Sequence, residues 1–199
     1  NNFGNLYCSI ENYKLAFHWY RLAAMQGHVN AQVVLGMFYD RGEDIVQNCE
    51  EAAKWFKRAA EQGDASGQYR FSRMLVLGRG IERNFKEGFK WCKLAADQGF
   101  AGAQTNLGYL YQNGLGVTVD LEEAFKWYKL AADQRYANGQ FNLGTLYEFG
   151  TGVTQNYDEA VRLFKLAVDQ GHANAQASLG FMYNNGLGVT KSYSEAIRL

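Results

Sequence analysis

Apolar residues return along this chain at helical spacing, in two alternating kinds of stretch. One kind reads LEEAFKWYKLAADQ from Leu121 to Gln134, with Ala124, Phe125, Trp127, Tyr128, Ala131 and Ala132 on a single face. The other reads AQTNLGYLYQN from Ala103 to Asn113, with Gln104, Leu107, Gly108, Leu110 and Tyr111 on a single face. Recurrence at three and four residues predicts an amphipathic helix in each. The two kinds form a unit that repeats. Gln32, Gln68, Gln104, Gln140 and Gln176 stand 36 residues apart, each within nearly the same text. A fixed period of this size predicts an all-α solenoid of helix-turn-helix units, each burying its apolar face only against its neighbours.

The punctuation agrees with the period. Asn12, Asn48, Asn84, Asp120, Asn156 and Ser192 open the first helix of successive units, and all are preferred N-cap types. Three residues on stand Leu15, Glu51, Glu87, Glu123, Glu159 and Glu195, so five of the six openings resemble a capping box. Gly27, Gly63, Gly99 and Gly171 mark the end of the first helix, where a left-handed residue closes it. Arg135 occupies that place in the fourth unit and predicts strain or a different turn there. The second helix ends in a G-x-G turn at Gly78/Gly80, Gly114/Gly116, Gly150/Gly152 and Gly186/Gly188. Asp44 replaces the second glycine in the first unit. An apolar residue follows each turn (Ile45, Ile81, Val117, Val153, Val189) and is expected to pin the loop to the core.

These boundaries give a single array over 1–199, with repeats 12–47, 48–83, 84–119, 120–155 and 156–191. The partial segment 1–11, with Phe3 at the place of later tyrosines, reads as the tail of a preceding unit, and 192–199 opens a further one. Terminal units of a solenoid need a polar cap. Neither end carries one, which predicts a fragment of a longer chain.

Comparing the copies with one another separates scaffold from specificity. On the second helix the face of Gln104, Leu107, Gly108 and Tyr111 is repeated. Glycine inside a helix costs about 1 kcal/mol. Its return at Gly36, Gly108, Gly144 and Gly180 predicts that another backbone passes close by. The opposite stripe varies: Met37 in one copy, Tyr69 and Arg73 in the next, then Tyr109, then Phe141 and Phe149, then Phe181. Aromatics, Met and Arg are interface types, so these seven residues are the candidate partner-binding set. The competing reading is that they fill grooves between units. The polar face of the first helix repeats as well. It predicts i, i+4 pairs Glu50–Lys54, Glu122–Lys126 and Asp158–Arg162. It also leaves Glu61, Asp97, Asp133 and Asp169 in the last turn, expected to serve the next helix or a neighbouring unit. That face is either solvated or a rival site for a charged peptide.

Composition narrows the classes of function. Twenty basic and twenty acidic residues give a formal net charge of zero, against a nucleic-acid partner. No apolar run approaches a membrane-spanning length. Cys8, Cys49 and Cys92 fall at three different repeat positions, so reduced thiols and a cytoplasmic chain are expected, with a lumenal or secreted location open. His18, His28 and His172 are too scattered for a metal site, and no G-x-S-x-G, H-E-x-x-H or G-x-G-x-x-G occurs. No catalytic, cofactor or metal site is expected.

The motifs A-x-x-W-[YF] and A-Q-x-x-L-G-x-x-Y followed by G-x-G-V, carried by Phe125, Trp127, Tyr128, Ala131 and Ala132 and by Ala103, Gln104, Leu107, Gly108 and Tyr111, resemble the Sel-one-like repeat family. That family is related to tetratricopeptide repeats. The second copy departs most, with Gly67, Phe71, Ser72 and Leu75 in place of Ala, Leu, Gly and Tyr. The resemblance implies a right-handed α/α superhelix that assembles protein complexes without catalysis of its own. The alternative is a regulatory array attached to a catalytic domain outside this segment. In both cases the partners are proteins or peptides, and no cofactor is implied.

Overall fold

In a computed structural model of the chain, residues 13–42 and 46–198 are described, and all regular structure among them is helical. Phe3, Asn12, Asp44 and Ile45, and the thiol of Cys8, lie outside the described residues. In order, the helices are α1 (Tyr13–Met25), α2 (Val29–Arg41), α3 (Cys49–Glu61), α4 (Ala65–Leu77), α5 (Phe85–Asp97), α6 (Ala101–Asn113), α7 (Leu121–Asp133), α8 (Ala137–Phe149), α9 (Tyr157–Val168), α10 (Ala173–Asn185) and α11 (Tyr193–Arg198). They fall into two compact units, Asn1–Gln98 and Gly99–Leu199. Within each, every helix packs on the next one in sequence.

The first-type helices start on the caps read from the sequence. Asn48, Asn84, Asp120 and Asn156 accept from the backbone N–H of Glu51, Glu87, Glu123 and Glu159 at 2.9–3.0 Å, and Ser192 from that of Glu195 at 3.3 Å. The reciprocal half of the box is replaced. The cap's own N–H donates to a carbonyl of the preceding helix, as from Asn48 to Tyr39 at 2.9 Å and Asp120 to Tyr111 at 3.1 Å. Glu87 then accepts from Trp91 Nε1 at 3.4 Å, and the others turn to a cation one turn on. Lys54–Glu51 and Lys126–Glu123 are 2.7 Å, and Arg162–Glu159 is 2.6 Å. The pairs are therefore i, i+3, not the expected i, i+4. Three of the last-turn acids pair within their own helix, Lys57–Glu61 at 3.8 Å, Lys93–Asp97 at 3.1 Å and Lys129–Asp133 at 2.8 Å.

Arg135 adopts strain and keeps the turn. Its φ is 61°, the only positive value outside glycine among the described residues. Its backbone bonds (Arg135 N–H to Ala132 at 2.8 Å, Tyr136 N–H to Ala131 at 3.1 Å) match those around Gly63. Holding an L-residue there costs about 1–2 kcal/mol. Part of that is offset by the greater freedom of unfolded glycine, worth about 0.4–1 kcal/mol. Arg135→Gly is expected to raise stability by several tenths of a kcal/mol up to about 1 kcal/mol, read as a higher denaturation midpoint at unchanged slope. A lower midpoint would contradict the strain.

Small and aromatic residues alternate in the core. In the first unit Phe56, Phe71 and Leu75 are fully covered, and in the second Tyr128, Leu146 and Phe164. Gly36, Gly108 and Gly144 lie under these rings. A Cβ at each would stand 2.6 Å from Phe56, 2.8 Å from Tyr128 and 2.7 Å from Phe164. At Gly36 and Gly144 the close neighbour is an aromatic ring of the following repeat instead of the expected backbone, whereas Gly108 also has the Ala124 carbonyl oxygen at 3.1 Å and Gly180 meets only that of Ala196 at 3.4 Å. Tryptophans of the first-type helices sit at the margin of the core. Trp55 is buried beneath the Arg58 guanidinium, 4.4 Å from the ring centroid, whereas Trp91 and Trp127 are half-buried and Trp19 is exposed. Three of the loop residues pin the turn as expected: Ile81, Val153 and Val189 pack against core clusters.

Candidate interaction surface

The second-type helices hold the variable stripe, and their repeated glutamine fixes how they are seated. Gln32, Gln68, Gln104 and Gln140 are buried. Each accepts a bond from the glutamine 30 residues later, at the end of the next repeat's first helix: Gln62, Gln98, Gln134 and Gln170 donate at 2.7–2.8 Å. Gln32 and Gln68 in turn donate to Ala24 and Ala60 carbonyls at 3.3 and 3.4 Å. A buried amide left unmatched costs about 1–3 kcal/mol. The matched chain therefore locks successive repeats in register. Sequence reading placed Gln104 on the buried face but passed over its partner, although a glutamine precedes the helix-closing residue in every copy (Gln26, Gln62, Gln98, Gln134, Gln170).

With the helix seated this way, exposure rises along the stripe toward the C-terminal end. At the N-terminal position Val33 and Thr105 are buried, and Tyr69 and Phe141 are half-buried. Phe141 stacks on His172 at 4.7 Å and meets Phe164 at 5.8 Å. His172 also accepts the Ala175 N–H through Nδ1 at 3.1 Å, so that imidazole is a helix cap. One turn on, Met37 packs against the core of the first unit, Arg73 lies over the Tyr69 ring at 5.8 Å, and Tyr109 and Phe181 are 48% and 55% exposed. At the last position Leu77 is 52% and Phe149 68% exposed. Tyr109, Phe149 and Phe181 belong to the second unit, Met37, Tyr69 and Arg73 to the first.

The other surfaces offer less. The ion pairs of the first-type helices are exposed and local, and pairs of this kind contribute about 0–1 kcal/mol. Among the described residues no group of three His, Cys, Asp or Glu side chains is placed to hold a metal. Cys49 and Cys92 carry free thiols, Cys92 fully covered. Buried titratable groups serve packing. The Tyr128 hydroxyl donates to Gln112 Oε1 at 2.9 Å, and burial raises its pKa well above the ordinary phenol value. Burial also raises the Glu148 carboxyl. No helix among the described residues is long and apolar enough to cross a membrane.

The Sel1 repeat matches residues 3–28, 29–64, 65–100, 101–136, 137–172 and 173–199, nearly the whole chain. The chain belongs to the Sel1 repeat family. A Sel1 repeat protein from Oxalobacter formigenes is 32% identical, with a TM-score of 0.94 over 100% of this chain and 81% of that one. A protective antigen of uropathogenic Escherichia coli with the same fold is 35% identical, with a TM-score of 0.80 over 92% of this chain and 39% of that one. An immunity protein from Pseudomonas aeruginosa, 24% identical with a TM-score of 0.62 over 92% of this chain and 66% of that one, shares the fold. No curated protein matches. The 36-residue period and the all-helical solenoid of this Sel1 repeat chain are thus those of its structural relatives.

Proposed function

We propose that this Sel1 repeat chain is a non-catalytic protein-interaction scaffold that mediates complex assembly. Arrays of this family typically bind proteins. The observation that carries the reading is the exposure of Tyr109, Phe149 and Phe181, three aromatics of one unit at positions the repeat does not hold constant. Scattered apolar residues on a surface are ordinary. Exposed large rings on α6, α8 and α10, with the N-terminal end of the stripe packed at Thr105 and Phe141, have the composition of a protein-binding face. Phe141 and Thr145 form the inner part of that face in the second unit, and Met37 and Tyr69 play the same part in the first.

The test compares the full chain with the variant Tyr109→Ala/Phe149→Ala/Phe181→Ala in capture of partners from source cells. Exposed positions change stability by no more than about 0.5 kcal/mol each, so melting is expected to hold while the captured partner is lost. Equal capture by both forms, or a collapse of melting, would overturn the assignment of these residues.

A further inference from the structure

The first unit concentrates positive charge in one place. Arg41 ends α2, Arg70 and Arg73 stand one turn apart on α4, and Arg79 follows in the turn. Asp40, Arg70, Arg73, Arg79, Met74 and Leu77 line one shallow cleft floored by Phe56. Arg79 is committed to structure. Its Nη2 lies 3.3 Å from Asp40 Oδ1 and donates to the Asp40 carbonyl at 3.1 Å, while Nε donates to Cys49 Sγ at 3.3 Å. Asp40, the one acid lining the cleft among the described residues, is thus paired with Arg79, although its buried Oδ1 makes no hydrogen bond. Arg70 and Arg73 remain. Arg70 lies over the Phe56 ring at 5.7 Å, and its buried Nε makes no hydrogen bond. Burial, with the nearby charges of Arg41 and Arg73, lowers its pKa from the usual guanidinium value, against a partial opposing effect of Tyr69 and Asp40.

Stacking of repeats does not require these arginines. The places of Arg70 in the other copies hold Val34, Asn106, Asn142 and Ser178, and those of Arg73 hold Met37, Tyr109, Thr145 and Phe181. A half-buried cation with an unmatched donor, present in one copy of five, is a cost that the scaffold avoids elsewhere. The planar fork of arginine suits a carboxylate, and Met74 and exposed Leu77 beside it suit an apolar side chain. An extended phosphate backbone needs a long basic face, and this cluster is confined to one cleft in a chain of zero net charge.

We propose that this cleft binds an acidic peptide segment of a partner protein, with Arg70 and Arg73 holding a carboxylate and Met74 and Leu77 receiving the apolar residue beside it. The proposal rests on the scaffold reading and deepens it: it names what the Arg73 and Leu77 end of the variable stripe takes in the first unit, whereas Tyr109, Phe149 and Phe181 belong to the second. The probe is a short fluorescein-labelled peptide of Glu and Leu, followed by anisotropy on the full chain, against a Lys and Leu peptide and single-stranded DNA. The acidic peptide is expected to bind, to weaken as salt is added, and to lose affinity about tenfold or more in Arg73→Glu, since breaking a charged contact costs at least what a tenfold change requires. Arg73 is exposed, so that variant keeps its melting temperature. Arg70→Lys keeps the charge without the fork and is expected to weaken binding as well. The Arg70 Nε–H resonance should shift as the peptide is added. Equal affinity for the two peptides, undiminished binding by Arg73→Glu, or tighter binding of the DNA would overturn it. Should these fail while the aromatic variant still loses its cellular partner, only the arginine site falls.

Discussion

Gly80→Ala is expected to destabilise the chain by about 3 kcal/mol or more, against about 1–2 kcal/mol for Gly63→Ala. Both glycines have positive φ, 68° and 86°. Both substitutions therefore carry the left-handed cost of an L-residue. The surroundings differ. A Cβ on Gly63 meets nothing within 4 Å, whereas one on Gly80 would stand 2.2 Å from the carbonyl carbon and oxygen of Cys49. Those atoms belong to the start of α3, the first helix of the same repeat, and backbone does not yield as a side chain does. The loop that closes a repeat is thus pressed on the helix that opens it. Gly152 and Gly188 meet Leu121 and Tyr157 in the same manner in the second unit. Denaturant titration of the two variants checks the difference. Equal losses would mean that the turn needs glycine only for its backbone angle.

The second large effect concerns the copy that departs from the motif. Ser72 stands at the glycine place and is fully buried, and Cys92 stands where Phe56, Tyr128 and Phe164 stand in other copies. Where the small residue grew, the ring above it was lost. Gly88 replaces the alanine found at Ala52, Ala124 and Ala160, and its carbonyl accepts the Ser72 hydroxyl at 2.7 Å. A Cβ on Gly88 would stand 2.7 Å from Val76 Cγ2. The three substitutions form one matched set. Cys92→Phe alone is expected to cost about 3 kcal/mol, the upper range for overfilling a closed core. Ser72→Gly alone loses a buried hydrogen bond and some volume, at about 1–2 kcal/mol. Together they restore the ring-over-glycine arrangement, so the double variant should be more stable than Cys92→Phe by about 1–2 kcal/mol. Additive losses, measured by thermal or denaturant unfolding, would show that positions 72 and 92 are not coupled.

Much of this was open to a reader of the sequence. The caps at Asn48, Asn84, Asp120 and Asn156, the glycine ends, the turn residues and the two helices per unit act over four residues or fewer, and local chemistry dictates them. Partners of surface charges were misread by one position. The spacing rule treats i, i+3 and i, i+4 alike, and the choice fell to whether the cap glutamate was occupied elsewhere. The aromatic stripe was visible as variation among copies. Its division into a packed end at Tyr69 and Phe141 and an open end at Phe149 and Phe181 was not, because both ends have the same composition. The arginine cleft is not legible as a site in the sequence, since Asp40 and Arg41 of one repeat meet Arg79 and Arg70 of the next only when the two stack.

By itself the sequence determined the period, the helices and the identity of the chain as a Sel1 repeat. Each of these rests on bonds and apolar faces that recur within a single unit. The tertiary structure alone decided what sits above each small residue, how the glutamines of successive repeats join, and which side chains meet water. Those outcomes depend on pairs 16, 20 or 30 positions apart, such as Ser72 with Gly88, Gly36 with Phe56 and Gln32 with Gln62. No local preference reaches so far, and only the packing of one repeat on the next brings such pairs together.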